Sequence, residues 1–383
     1  MGEHREDPAS AARIVIPEGS RPADGRFGSG PSKVRPEAVE ALARAASGYL
    51  GTSHRRAGVR AMVGRLRTGL RELFALPDDY EVVLGNGGSS MLWDALVFSF
   101  IRRKSQHLVF GEFSAKFAAA AALATHLDPP EVIESEPGTH PWARATPDID
   151  VYALTQNETS TGVAMAVERP GGDGLVVVDA TSAAGAAPID PGEFDLYYFA
   201  PQKAFAADGG LWLALCSPRA LERIEEIGDS TRYVPPSLDL LGALESSRDE
   251  QTYNTPALAT LFLTVHTVEW ILASGGLAWA VERSARSAHI LYTWADKSEY
   301  ALPFVADPAD RSPTVATIDL DPATPADDVC AALRANGIVD TESYRKLGRN
   351  QLRIALYPAI DPADVERLTR AIDFVVDALA PGG

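Results

Sequence analysis

Short, largely apolar runs alternate along the chain with longer segments whose apolar positions recur at helical spacing. "YEVVLGNGGSSMLWDALVFSF", from Tyr80, predicts a strand, a glycine turn and a helix. "SQHLVFGEFSAKFAAAAALATHL", from Ser105, repeats that order with an alanine-rich helix that can pack closely on a sheet. Short strands are expected at "DVYALTQNE", "GLVVVDATS", "FDLYYFAPQ" and "GGLWLALCS", several of them almost wholly apolar. Strands of that kind, alternating with helices, predict a mostly parallel sheet covered on both faces. Upstream, "FGSGPSKVRPEAVEALARAA" predicts a glycine-rich turn and a helix whose start is marked by Ser32 and Pro36.

After about Leu261 the pattern changes. "LATLFLTVHTVEWILASGG" predicts a long helix stopped at Gly275-Gly276. A further helix, "TVATIDL", "PADDVCAALRANGI", "NQLRIALYPA" and "DPADVERLTRAIDFVVDALA" follow in an α+β order, the last opening on an N-cap at Asp361. The expected division is a polar arm over residues 1–25, a large α/β domain over 26–270 and a smaller α+β domain over 271–383. No internal repeat is apparent.

Length and charge narrow the function. The 383 residues suffice for two domains, and a net charge of −17 argues against a nucleic-acid partner unless a basic face is segregated. Cations gather at "SHRRAGVR" (Ser53–Arg60) and "YRKLGRNQLR" (Tyr344–Arg353), either as solvated clusters or as anion pockets. Cys216 and Cys330 sit in apolar contexts without a CxxC partner, so neither a metal site nor a disulfide framework is expected. The charged N-terminus lacks the apolar core of a signal peptide, and no run is long enough to span a bilayer. A cytoplasmic protein with no membrane partner is expected.

The chemistry concentrates at two strand exits. Asp179 closes "LVVVD", so the strand carries its carboxylate to the edge where open α/β sheets place ligands, unless it serves as a helix cap or turn residue. Lys203 leaves the next strand, 24 residues on, between two apolar runs. An acid and an amine brought to one sheet edge suit pyridoxal 5'-phosphate: the amine bonds the aldehyde, and the acid keeps the pyridine nitrogen protonated. "LGNGGSS" (Leu84–Ser90) stands between a strand and a helix, where glycines and free amides can cradle a phosphate. No GK[ST] follows, so it is not a nucleotide P-loop.

The ordered motifs "FGSGPSKVRPEAV", "GTSHR", "GNGGSS", "QNETSTG", "VVVDATSAAG", "APQKAFAADGGLW", "QTYNTPAL" and "GRNQLRIALYP" resemble the phosphoserine aminotransferase family, in its actinobacterial-type branch. The likeness runs from about Arg26 to the C-terminal helix. It implies fold-type I, with a mostly parallel seven-stranded sheet in the large α/β domain and a smaller α+β domain. It implies a homodimer with the active site at the subunit interface. It also implies amino transfer between L-glutamate and 3-phosphohydroxypyruvate, or 4-phosphohydroxythreonine as a further product.

Carried over by position, Lys203 would bond the cofactor, Asp179 pair with its ring nitrogen and Gln202 hold its phosphate. Thr159 would reach the phenolic oxygen, and Phe113 would stack on the ring where the family often has tryptophan. Gly88 and Ser89 would hold the phosphate by backbone amides, joined by Asn254 and Thr255 of the neighbouring subunit. Arg353 would take the substrate α-carboxylate, and His54 and Arg55 its distal anion across the dimer. Ser29, Arg345 and Lys346 complete the expected substrate contacts. Two departures stand out: Ala204 replaces a common asparagine, and Ser89-Ser90 stands where some relatives carry arginine. The alternatives are a related transaminase for another keto acid, a cysteine desulfurase, or a silent binding protein on the same fold.

Overall fold

The structure, a computed structural model, describes residues 11–380; the first ten residues of the expected arm and the last three of the chain lie outside the described residues. Among the described residues, seven strands form one sheet: β1 (Glu81–Asn86), β2 (Ser105–Val109), β3 (Glu131–Glu134), β4 (Val151–Thr155), β7 (Leu175–Asp179), β8 (Leu196–Phe199) and β9 (Leu211–Cys216). Their order is β1-β9-β8-β7-β4-β2-β3, and β9 alone runs antiparallel to its neighbours. The intervening β5 (Asn157–Glu158) and β6 (Val163–Ala164) pair with each other beside that sheet.

The apolar strands read without alternation because both faces are covered. Val176, Val178, Tyr197 and Phe199 face one core with helices α2 (Ala57–Leu73) and α7 (Leu258–Ser274). Leu175, Val177, Leu196 and Tyr198 face the other with α3 (Ser89–Ser99), α5 (Pro218–Gly228) and α6 (Leu240–Arg248). By that alternation Asp179 falls on the α3 side. Helix α1 (Pro36–Tyr49) lies before α2, and α4 (Glu112–Leu123) follows β2.

Helix α7 stops where expected, at Gly275, whose φ of 125° only glycine adopts readily. The chain turns there by 90° into α8 (Gly276–Lys297). A three-stranded antiparallel sheet of β10 (Ala301–Pro303), β11 (Val315–Leu320) and β12 (Gln351–Ala355) then packs with α8, α9 (Ala326–Ala335) and α10 (Pro362–Leu379). Asp361 caps α10 by accepting from the Ala363 N–H. Ala11, Ile16 and Phe27 are buried in this second core, and Ile16 N–H donates to Asn336 Oδ1 at 2.9 Å. Among the described residues no single helix is long and apolar enough to cross a membrane.

One local expectation fails for a clear reason. Ser32 does not cap α1, which begins at Pro36 behind Arg35; its hydroxyl donates instead to the Lys203 carbonyl at 2.6 Å. The basic run at Ser53–Arg60 is in part the first turn of α2, whose apolar stripe Val59, Val63, Leu66 and Leu70 is buried. Arginines on the outer face of that helix dominate the sequence and mask its periodicity.

Candidate active site

Strands β7 and β8 are parallel neighbours, with Asp179 opposite Tyr198. Asp179 ends the first, and Lys203 follows the end of the second, so both sit at the same carboxyl edge of the sheet. They line one cavity of about 370 Å³ together with Gly88, Ser89, Phe113, Thr159 and Gln202. Gly30, Trp93, Asn157 and Thr181 also line it.

Lys203 is 8 % exposed, and its Nζ donates to the Ser29 carbonyl at 2.7 Å. A Cβ at Gly30, where φ is +150°, would lie 2.1 Å from that nitrogen, so the backbone can pass only as glycine. Burial, and then the Arg353 guanidinium, push the amine down to about 8 against the opposing pull of Asp179 and Glu158. Below its ordinary value, the amine reaches its neutral, nucleophilic form near physiological pH.

Asp179 is buried and accepts from the Thr181 N–H at 2.9 Å. Burial pushes its carboxyl above the usual range, while Thr181, Tyr198 and Trp93 pull the other way. The Trp93 indole N–H donates to the Tyr198 hydroxyl at 2.6 Å, which locks that wall. A carboxylate so placed is best satisfied by an incoming cationic N–H.

Gly88 precedes α3 and Ser89 opens it, and both line the cavity where a helix start leaves amides unpaired. Gly87 requires its positive φ of 101°, whereas a Cβ at Gly88 would project into open space, as a ligand cradle demands. Ser89 Oγ lies 2.7 Å from Thr181 Oγ1, tying this turn to the Asp179 strand. Thr159 Oγ1 and Asn157 Nδ2 both donate to Ser182 Oγ at 2.8 Å. Gln202 Oε1, Asn157 Oδ1 and Arg353 Nε are buried without a partner. Such orphaned atoms mark where a polar ligand belongs.

The expected substrate residues, with the cofactor-phosphate residues Asn254 and Thr255, divide into three groups. Ser29 and Arg353 adjoin the cavity: the Ser29 carbonyl holds Lys203, and the Arg353 charge acts on the same amine. Arg353, mid-strand in β12, has its guanidinium 5.2 Å from the Tyr344 ring, whose centroid is 5.9 Å from that of Phe113. Arg345 is exposed, and Lys346 is ion-paired with Glu112 at the start of α4. His54, Arg55, Asn254 and Thr255 lie outside the cavity's lining. Among them, His54 Nδ1 is 3.2 Å from Thr255 Oγ1, and Asn86 Nδ2 donates to the Asn254 and Thr255 carbonyls. These lie near the Gly87-Gly88 turn, with His54 half-buried and Arg55, Asn254 and Thr255 exposed.

Sequence reasoning passed over Trp93, Tyr198 and Thr181. Trp93 and Tyr198 read as ordinary core residues of a helix and a strand, and only the tertiary pairing aims them at Asp179. Thr181 carried a usable signal, two residues beyond a strand-ending aspartate.

A buried amine and acid at the carboxyl edge of such a sheet define an aminotransferase-like site, and residues 26–368 match the family model described as aminotransferase class-V. The chain belongs to that family. It is 57 % identical over 370 residues to a phosphoserine aminotransferase of Nocardioides sp., covering 96 % of this chain and 99 % of the relative. It is 56 % identical over 371 residues to a putative phosphoserine aminotransferase of Mycobacterium avium, with coverage of 96 % and 99 %. The fold is that of the phosphoserine aminotransferase from Cytophaga hutchinsonii, with a TM-score of 0.85 at 23 % identity over 91 % of this chain and 99 % of that one. The enzyme from Bacillus circulans subsp. alkalophilus gives 0.80 at 21 % identity, over 93 % and 99 %.

Proposed function

We propose that this protein is a pyridoxal-phosphate-dependent transaminase that moves the amino group between L-glutamate and 3-phosphohydroxypyruvate, giving O-phospho-L-serine and 2-oxoglutarate. The observation that carries this reading is the single cavity shared by Lys203 and Asp179. The residues present suit the cofactor: an amine near neutrality, a buried acid without a cation, an aromatic face and an open glycine cradle at a helix start. The names of the relatives above half identity support the choice of substrates.

Pyridoxal phosphate, when bound, supplies an aldehyde that captures amines and a ring that takes up the electron pair released at the substrate Cα. Lys203 would anchor the aldehyde, and its freed amine would take the substrate Cα proton and deliver it to the cofactor's former aldehyde carbon. Its buried setting keeps the amine ready to accept that proton at working pH. Asp179 would hold the ring nitrogen protonated, and Phe113 would offer an aromatic face. Thr159 would donate to the phenolic oxygen. Gly88, Ser89 and Gln202 would receive the phosphate.

Arg353 matches the substrate α-carboxylate with its two-pronged guanidinium. Ser29, whose carbonyl accepts from Lys203, would be a further substrate contact. In a homodimer, Asn254 and Thr255 would complete the phosphate site and His54 and Arg55 the distal-anion site, each serving the opposite subunit. The contact of His54 with Thr255, beside exposed Arg55 and Asn254, supports that reading. Arg345 and Lys346 would add positive charge at the mouth, with Glu112 competing for Lys346. A mainly electrostatic pocket accepts a distal carboxylate or phosphate alike.

A coupled assay with glutamate and phosphohydroxypyruvate tests the reading directly. Phosphohydroxypyruvate is expected to outperform unphosphorylated hydroxypyruvate, and equal or reversed preference would sink the substrate assignment. Replacing Arg353 by leucine should lower kcat/KM for both substrates on the order of a hundredfold, mostly through KM, because a desolvated charge pair is lost. The visible absorbance of the lysine-bound cofactor should persist. A normal KM in that variant would contradict the role.

The amine also sets a pH dependence. At pH 7 an amine with a pKa of about 8 is about one-tenth neutral, against about three in ten thousand for an ordinary lysine at 10.5. The rate at which cofactor-free protein takes up pyridoxal phosphate should therefore rise with pH and level off above about 8. A stopped-flow rate still climbing steeply well above that value would show an unperturbed lysine.

A further inference from the structure

We propose that Glu158 is a positioning residue of this active site: its carboxylate ties the first turn of α4, which carries Phe113, to the strand that presents Asn157 and Thr159. The inference rests on the function proposed above and gives a role to a group that touches neither cofactor nor substrate in it.

Glu158 is fully buried, which pushes its carboxyl up, while N–H and O–H donors from two separate elements pull the other way. Oε2 accepts from Ser114 N–H at 2.9 Å, Ser114 Oγ at 2.9 Å and Phe113 N–H at 3.2 Å. Oε1 accepts from Ser160 N–H at 3.1 Å and Ser160 Oγ at 2.8 Å. Ser160 Oγ in turn accepts from Glu112 N–H at 3.0 Å. The amides that a helix start leaves unpaired are thus taken by one side chain and its serine. The positive end of the helix favours a carboxylate there.

The surrounding backbone is shaped for it. A Cβ at Gly111 would lie 2.3 Å from Glu158 Cγ and 2.6 Å from Ser160 Oγ, so α4 approaches β5 this closely only through a glycine. Along the extended segment the side chains alternate, with Asn157 and Thr159 lining the cavity while Glu158 turns away toward the helix. Phe113 comes from a helix start and Thr159 from a strand end, 46 positions apart (159 − 113). Glu158 joins them within a single side chain's reach.

The chemistry is specific to a carboxylate. Glutamine has the same shape, but its amide nitrogen would face a backbone N–H on one side or the other, and a backbone donor cannot rotate away. A hydroxyl at the same place would cap the helix alone and leave Ser160 unmet.

Two variants test the proposal by different chemistry. Glu158→Gln removes one acceptor, and Gly111→Ala removes no polar group but displaces the carboxylate. Both are expected to raise the dissociation constant for pyridoxal phosphate by about tenfold, read by equilibrium dialysis. Both should also weaken the visible circular dichroism of the bound cofactor. Turnover should fall about tenfold while the KM for glutamate stays within about threefold, because Arg353 is untouched. Ser160→Ala should move the same readings in the same direction by less, and it carries the test with Gly111→Ala if Glu158→Gln is insoluble. Wild-type affinity and dichroism in these variants, with only a lower melting temperature, would overturn the proposal and leave Glu158 a role in the fold alone. Wild-type protein that takes up no pyridoxal phosphate would overturn the function and this inference together.

Discussion

Lys203→Ala is expected to abolish the visible absorbance of the lysine-bound cofactor and to cut turnover by about ten-thousandfold or more. Two losses combine: the anchoring bond and the base at Cα are the same nitrogen. The variant should fold, because the Ser29 carbonyl that accepts from Nζ keeps the Tyr357 hydroxyl at 3.1 Å. The cavity left is polar at its edge and open to water, so no strained void remains. Binding of the cofactor through its phosphate should persist at reduced affinity. Retained turnover in purified Lys203→Ala would remove the covalent role, whatever the substrate.

Asp179→Asn is the second large effect. Asparagine keeps the acceptor for the Thr181 N–H but cannot hold a proton on the ring nitrogen by charge. Breaking a buried pair of this kind costs about 3–5 kcal/mol, so turnover should fall on the order of a thousandfold. The KM for glutamate should change little, because the carboxylate site is separate.

The same variant should be more stable than wild type without cofactor, for a reason of sign. Burial raises the Asp179 carboxyl, so the folded state binds that proton more tightly than the unfolded chain. Stability from this group is therefore present below the unfolded value and lost as pH rises through the folded one. At neutral pH the wild-type protein carries the cost of a buried charge, and asparagine removes it. Calorimetry of cofactor-free protein should show a higher Tm for Asp179→Asn at pH 7. An unchanged kcat in that variant would show that the acid does not face the ring.

How much of this was legible in the sequence follows from how local each signal is. The strand exits at Asp179 and Lys203 could be read because a four-residue apolar run ends at Asp179 and Lys203 follows another within three residues of its end. The Gly88-Ser89 turn and the Asp361 cap were legible because caps and turns act within four residues. The Trp93–Tyr198 contact was not, since it joins residues 105 apart in two segments that each look like ordinary core. Glu158 was hidden inside a motif whose neighbours drew the attention, and its partners lie 44 residues upstream. Ser32 looked like a helix cap because its chemistry suits one; the nearby Lys203 carbonyl competes for the same hydroxyl. The short strands β3, β5, β6 and β10 carry too few residues to show any period.

The basic run at Ser53–Arg60 carries two signals at once. His54 and Arg55 precede α2, and from Ala57 the same run opens a helix whose buried stripe its charges mask. Patterns of burial and of charge occupy the same residues, and only the fold separates them.

Borohydride reduction of the protein as purified, followed by mass mapping of its peptides, reads the central claim at the atom it concerns. The account predicts a pyridoxyl group on Lys203 and loss of that label in the alanine variant. A label on another lysine, or none on protein that is active, would contradict it.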